Sequence, residues 1–115
     1  MDVKIAIASN DGTTVNEHFG RAAAFRIYRL RDLGYEYLET RPGTPVCSGH
    51  EHDDDRLLDV ARSLSDCRGV VASQIGVGAI DALLMYRIMA FTLPGTIDEA
   101  IEALLRAKRF NYLKK

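Results

Sequence analysis

The sequence predicts an α/β fold, a mixed five-stranded sheet in the order β-β-β-α-β-α-β-α with helices covering it. Three observations predict it. Residues 3–8 alternate Val3, Ile5 and Ile7 with Lys4, Ala6 and Ala8, the two-residue period of a strand. Two short runs rich in aromatic and β-branched residues then flank a glycine-bearing turn. From Asp53 onward, helical stripes alternate with short apolar runs, which is the pattern of parallel strands joined by right-handed crossovers.

Each element has its own warrant. Small residues on one side of the first strand suit a central position with another layer packed closely on it. Ser9-Asn10-Asp11-Gly12 ends that strand, because Asn, Asp and Gly tolerate positive φ and their side chains bond local backbone. A loop runs on to about Gly20. Residues 25–30 and 35–40 read as antiparallel strands joined through Arg31-Asp32-Leu33-Gly34. Residues 41–52 hold two prolines, two glycines, a cysteine and two histidines without periodicity, and read as a loop. A helix starts at Asp53, with Asp53, Asp54 and Asp55 at the positive end of its dipole and Leu57, Leu58, Ala61 and Leu64 on one stripe. Residues 69–73 form a buried strand, and Gly76-Val77-Gly78 leads into a helix with Val77, Ile80, Leu83 and Leu84 sharing a face. Residues 88–92 supply the fifth strand, Pro94-Gly95 turns the chain, and Thr96-x-x-Glu99 is a capping box ahead of Ile97, Ala100, Ile101, Leu104 and Leu105. Residues 110–115 read as a frayed end.

With 115 residues, 47% hydrophobic and 27% charged, the whole chain, residues 1–115, reads as one domain able to bury its own core. Fifteen Lys and Arg against sixteen Asp and Glu leave a net charge of −1, which lacks the basic signature of nucleic-acid or anionic-membrane binding. No apolar run approaches the ~20 residues of a membrane span, and the start has too short an apolar stretch for a signal peptide, so a cytoplasmic location is expected. Cys47 and Cys67 are too few for a disulfide scaffold and read as thiols or ligands.

Two stretches could carry chemistry. In Asn16-Glu17-His18-Phe19-Gly20, a histidine in a loop after a central strand can present an imidazole nitrogen to a metal; a surface or half-packed histidine is the alternative. In Cys47-Ser48-Gly49-His50-Glu51-His52, one soft thiolate and two imidazoles suit zinc, copper, iron or the iron of a sulfide cluster. A fully enclosed zinc site commonly takes four ligands and this loop offers three, so a polar connection remains the other reading. Cys67, at a helix end and the start of a buried strand, favours packing over chemistry. The Gly76 turn could expose N–H groups to an anion, although tight helix-to-strand packing also explains its glycines. The sequence has no Gly-x-Ser-x-Gly, phosphate-loop Lys, His-Glu-x-x-His or radical-cluster Cys-x-x-x-Cys-x-x-Cys pattern, so catalysis is unsupported.

Several blocks in order carry a resemblance: Lys4-Ile-Ala-Ile-Ala-Ser9, Asn16-Glu-His-Phe-Gly-Arg21 followed by Phe25-Arg-Ile-Tyr28, Cys47-Ser-Gly-His50, Asp66-Cys-Arg-Gly-Val-Val71 with Ile75-Gly76, and residues 94–104. The chain resembles the dinitrogenase iron-molybdenum cofactor biosynthesis family, the NifX-like domain also found at the C-terminus of the NifB maturase. The resemblance implies a ribonuclease-H-like fold without nuclease chemistry. It also implies an accessory role in nitrogenase-type cofactor assembly through binding or transient carriage of an iron-sulfur or iron-molybdenum type cluster. Metallocluster donor and acceptor proteins would be its partners. The family's cluster-linked histidine falls on His18, and its Cys-x-Gly block on Cys47. The paired glycine frequent after the fourth strand is Ser73-Gln74 here, ahead of Ile75-Gly76.

An anionic cluster held transiently wants few protein ligands and some N–H donors, since a fully enclosing site would release it slowly. On that reading His18, Cys47, His50 and His52 are the metal-ligating candidates, with Gly76 contributing donors. The alternative is a cargo-free interaction or regulatory domain of the same fold. A magnesium-dependent hydrolase would need clustered carboxylates at the strand ends, where Asp11 is the one acid after the first strand.

Overall fold

The alternation of Val3, Ile5 and Ile7 with Lys4, Ala6 and Ala8 produces the central strand β1 (Val3–Ala8) of a computed structural model that describes residues 3–31, 34–43 and 53–106, the side chains of 53–56 excepted. The further elements are β2 (Thr14–Val15), a 3₁₀ turn (Phe19–Arg21), β3 (Ala24–Arg31), β4 (Gly34–Pro42), α1 (Asp53–Ser63), β5 (Gly69–Ala72), α2 (Val77–Met85), β6 (Met89–Thr92), β7 (Gly95–Thr96) and α3 (Ile97–Arg106). The main sheet is ordered β4-β3-β1-β5-β6. Its β4-β3-β1 part is antiparallel, and β5 and β6 run parallel to β1, as the order of the sequence patterns requires.

β1 divides two cores. Ala6 and Ala8 face α1 and α2, where they meet Phe19, Phe25, Ile27, Leu64 and Leu83. Val3, Ile5 and Ile7 face α3, where they meet Leu30, Val71, Phe91, Ile97 and Ile101. Gly69 sits between the layers of side chains: a Cβ there would lie 3.0 Å from both Ile5 Cδ1 and a Phe91 ring carbon, so glycine is what lets those two pack across β5.

The helix expectations divide. α3 starts as read, with Glu99 N donating to Thr96 Oγ1 at 3.0 Å and Thr96 N donating to Glu99 Oε1 at 3.1 Å, the reciprocal capping box. In α1, Ala61 is buried and Leu57 and Leu58 pack at the edge of the core, while Leu64 is buried in the turn that follows the helix. α2 is rotated from the expected face. Ala79, Ala82 and Leu83 point inward, while Val77 (77% exposed), Leu84 (60%) and Met85 (73%) point out. The small alanines let α2 lie close to the sheet, which leaves Leu83 as its one large inward side chain. The helix ends in a Schellman motif: Ile88 N donates to Leu83 O and Arg87 N to Leu84 O, with Arg87 in the left-handed region at φ 61°.

Two features are not visible in the sequence pattern. β2 and β7 form a separate two-stranded ladder, Thr14 opposite Thr96 and Val15 opposite Gly95. Arg41, near the end of β4, clamps the α1–β5 connection: its Nη1 and Nη2 donate to the two Asp66 carboxylate oxygens at 2.7 and 2.8 Å, and Nη1 also donates to Ser63 O. Among the described residues no helix is long and apolar enough to cross a membrane.

Candidate functional site

The loop after β1 is locked by one carboxylate. Asp11 Oδ1 accepts the Thr13 and Thr14 N–H groups, both at 2.8 Å, and the Ser9 hydroxyl, while Oδ2 accepts the Thr14 hydroxyl at 2.8 Å. Gly12 turns the chain at φ +76°. Asn16 bridges back to Asn10, its Nδ2 donating to Asn10 Oδ1 and its Oδ1 accepting from Asn10 N. Both oxygens of Asp11 thus take part in the turn, which gives this acid a structural role.

These bonds hold Asp11 ionised well below the usual carboxylate range, the Thr14 N–H being the largest cause and the Thr13 N–H next. A carboxyl that is more acidic folded than unfolded stabilises the fold above its ordinary value of 3.8, and that contribution fades as the pH falls below it. Asp66 is shifted the same way, first by Arg41 and then by Lys4. We therefore expect Asp11→Asn to melt below the parent protein at pH 7, with the gap in Tm narrowing at pH 3 and further at pH 2. A gap unchanged by acid would contradict this role.

From Asn16 the chain becomes a strap across the end of the sheet. Ser73 N donates to Glu17 O and Phe19 N to Gln74 O, both at 3.0 Å, so His18 runs parallel to Gln74 as an isolated bridge. Phe19, 2% exposed, is the anchor: its ring packs against Phe25 at 5.6 Å between centroids, within the core under α1 and α2. The strap's backbone is thus tied to β5–α2 and its next side chain is buried, while His18 itself is exposed.

Two residues past Gln74, Gly76 caps α2 without a side-chain hydrogen bond, and a Cβ there would meet nothing within 4 Å. The structure therefore places His18 and the Gly76 turn on one rim, at the C-terminal ends of β1 and β5. Cys67 lies before the other end of β5, seven residues ahead of Gln74, with the whole length of the strand between it and the rim. It is 0% exposed, and burial, followed by the neighbouring Asp66, pushes its thiol up to about 12. That is a packed thiol. Cys47, His50 and His52 lie outside the described residues. Among the described residues, no three His, Cys, Asp or Glu side chains converge as a metal site.

The described start of the connection that carries Cys47 meets the end of the strap. Gly43 N donates to Ala23 O at 2.8 Å, and a Cβ on Gly43 would collide with the Ala22 carbonyl. Within α1, four residues after its start, Leu57 approaches the strap: its Cδ2 would lie 3.6 Å from a Cβ on Gly20. The sequence singles out His18 and Gly76 as candidates but does not reveal the pairing of Glu17–Phe19 with Ser73–Gln74, since neither segment has a strand's alternation.

Residues 1–107 match the family model described as dinitrogenase iron-molybdenum cofactor. The chain belongs to that family. It is 32% identical over 102 residues to the FeMo cofactor biosynthesis protein NifB of Frankia alni, covering 86% of this chain and 20% of that one. It is 28% identical over 106 residues to NifX of Rhodobacter capsulatus, covering 90% of this chain and 65% of that one. The NifB relatives it matches are far longer: the aligned part spans between 14% and 26% of their length. The fold is similar to that of the crystal structure of PH0822, with a TM-score of 0.70 at 22% identity, covering 90% of this chain and 91% of that one.

Proposed function

We propose that this member of the dinitrogenase iron-molybdenum cofactor family binds and hands on an iron-sulfur or iron-molybdenum type cluster, as a non-catalytic accessory factor in cofactor assembly. The observation that carries the reading is the strap: an exposed imidazole held on a backbone tied to β5–α2, beside a helix start with no side chain in the way. His18 supplies an open-ended nitrogen ligand, and the first N–H groups of α2 face an anion favourably. Cys47 supplies a thiolate, with His50 or His52 beside it. The connection spans nine residues between Gly43 and Asp53, a contour of about 30 Å, and starts against the segment that follows His18. That reach supports a shared ligand set.

The strand order supports the ribonuclease-H-like assignment, and the use of Asp11 as a turn lock supports carriage over nuclease chemistry. In this reading residues 1–115 act as one cytoplasmic domain. It receives its cargo from a metallocluster donor protein and passes it to an acceptor, with no nucleic acid or membrane involved.

The test is anaerobic reconstitution with iron, sulfide and molybdate. The parent protein should develop a visible chromophore that His18→Ala and Cys47→Ala each reduce by at least about half, since each removes one of few ligands. Unchanged spectra in both variants would overturn the proposal. A cargo-free interaction domain is the second reading, favoured by the exposed Val77, Leu84 and Met85 of α2; it predicts no metal by elemental analysis under the same anaerobic conditions.

A further inference from the structure

The other end of the sheet carries an arrangement that the cluster-carrying role does not use. Lys4 on β1 is the direct partner of Arg29 on β3. Arg68 continues the same row, because Ile5 pairs with Gly69 and Arg68 N donates to Lys4 O at 2.8 Å. Three cations thus stand in register across three neighbouring strands, spanning two inter-strand spacings or about 10 Å. Like charges directly opposite one another destabilise a sheet. In a chain of net charge −1, this row does not follow from general basicity.

The neighbouring acids do not balance it. Glu36 lies 3.5 Å from Arg29 but 2.7 Å from Arg31. Asp66 lies 3.2 Å from Lys4 while both its oxygens are held by Arg41. Among the described residues, Arg68 has no carboxylate within ion-pair distance. Val3, Lys4, Arg29, Asp66 and Arg68 line a cleft of about 420 Å³, room for more than a single water-sized guest.

We propose that this cleft binds a small polyanion of the diphosphate class, free or as part of a nucleotide. Three cations set along a row about 10 Å long at the backbone offer charge-assisted hydrogen bonds to more oxygens than one phosphoryl group can place along it. That span fits two joined phosphoryl groups better than one. Arg68 and Arg29 grip the outer oxygens, and Lys4, shared with Asp66, meets the bridge. The site lies beyond the length of β1 from His18, so it works independently of the cluster rim.

Isothermal titration of the full chain at low salt, with pyrophosphate, inorganic phosphate and ADP as probes, tests this. Pyrophosphate should bind saturably and at least about tenfold tighter than phosphate, and its affinity should fall as salt is raised. ADP binding as tightly as pyrophosphate assigns the nucleotide source, and weaker ADP binding assigns the free diphosphate. Arg68→Ala, at a side chain without an ion-pair partner among the described residues, should keep the parent Tm and lose at least about tenfold in affinity, Arg68→Lys should recover part of it, and His18→Ala should change nothing. No saturable binding of pyrophosphate, or equal binding by Arg68→Ala and the parent, would overturn the proposal.

Discussion

Phe19→Ala is expected to lower the unfolding free energy by about 3–5 kcal/mol, as for other buried phenylalanines truncated to alanine. The ring is 2% exposed and fills the space between the strap, Phe25 and the helices over that face. Its loss leaves a cavity that the strap cannot close, because the backbone at Glu17 and at Phe19 is pinned to Ser73 and Gln74. In a chain of this size the expected fall in Tm is about 4 °C for each kcal/mol, so on the order of 12–20 °C. Phe19→Leu should cost less, since most of the volume is kept. Urea denaturation at pH 7 measures both. A loss below about 1 kcal/mol for the alanine variant would mean that His18 is held by something other than this anchor.

Gly43→Ala is expected to be the most damaging single methyl addition. A Cβ at that position collides with the carbonyl of Ala22, and the obstacle is backbone that cannot rotate away. The Gly43 N–H is at the same time bonded to Ala23 O, so relief of the collision breaks the last link between the end of β4 and the start of β3. Overpacking of this kind costs about 1–3 kcal/mol. The same substitution displaces the exit of the connection that bears Cys47, so in the proposed function it should also weaken cluster uptake. Gly76→Ala is the contrast, because a Cβ there meets open space. Equal Tm values for the Gly43 and Gly76 variants would contradict the packing described.

Much of the architecture was legible because its signals are local. The alternation in β1, the Thr96 and Glu99 pair and the Ser9–Gly12 turn each depend on a few adjacent residues, and each appears where the pattern puts it. The rotation of α2 was not legible, because Val77, Ile80, Leu83 and Leu84 do form an apolar stripe. Which side faces the sheet is decided by the close fit of Ala79 and Ala82, a property of the partner surface. The β2–β7 ladder and the strap were also hidden, as two-residue pairings between distant segments have no period to read. At the site, His18 is exposed, which both of its sequence readings allow, and Cys67 matches its reading as a packed thiol. The like-charged row of Lys4, Arg29 and Arg68 appears only once the strand register aligns them.

The claim on which the functional account turns is that a cluster sits against the His18 rim. Pulsed electron paramagnetic resonance on the reconstituted, paramagnetic cluster reads this directly, through coupling to nitrogen-15 introduced in the histidine rings. The account predicts an imidazole nitrogen coupling in the parent protein whose His18 component disappears in His18→Ala, any remainder being lost when His50→Ala and His52→Ala are added. The same coupling surviving in His18→Ala, or a bound cluster with no histidine coupling in the parent, would contradict it.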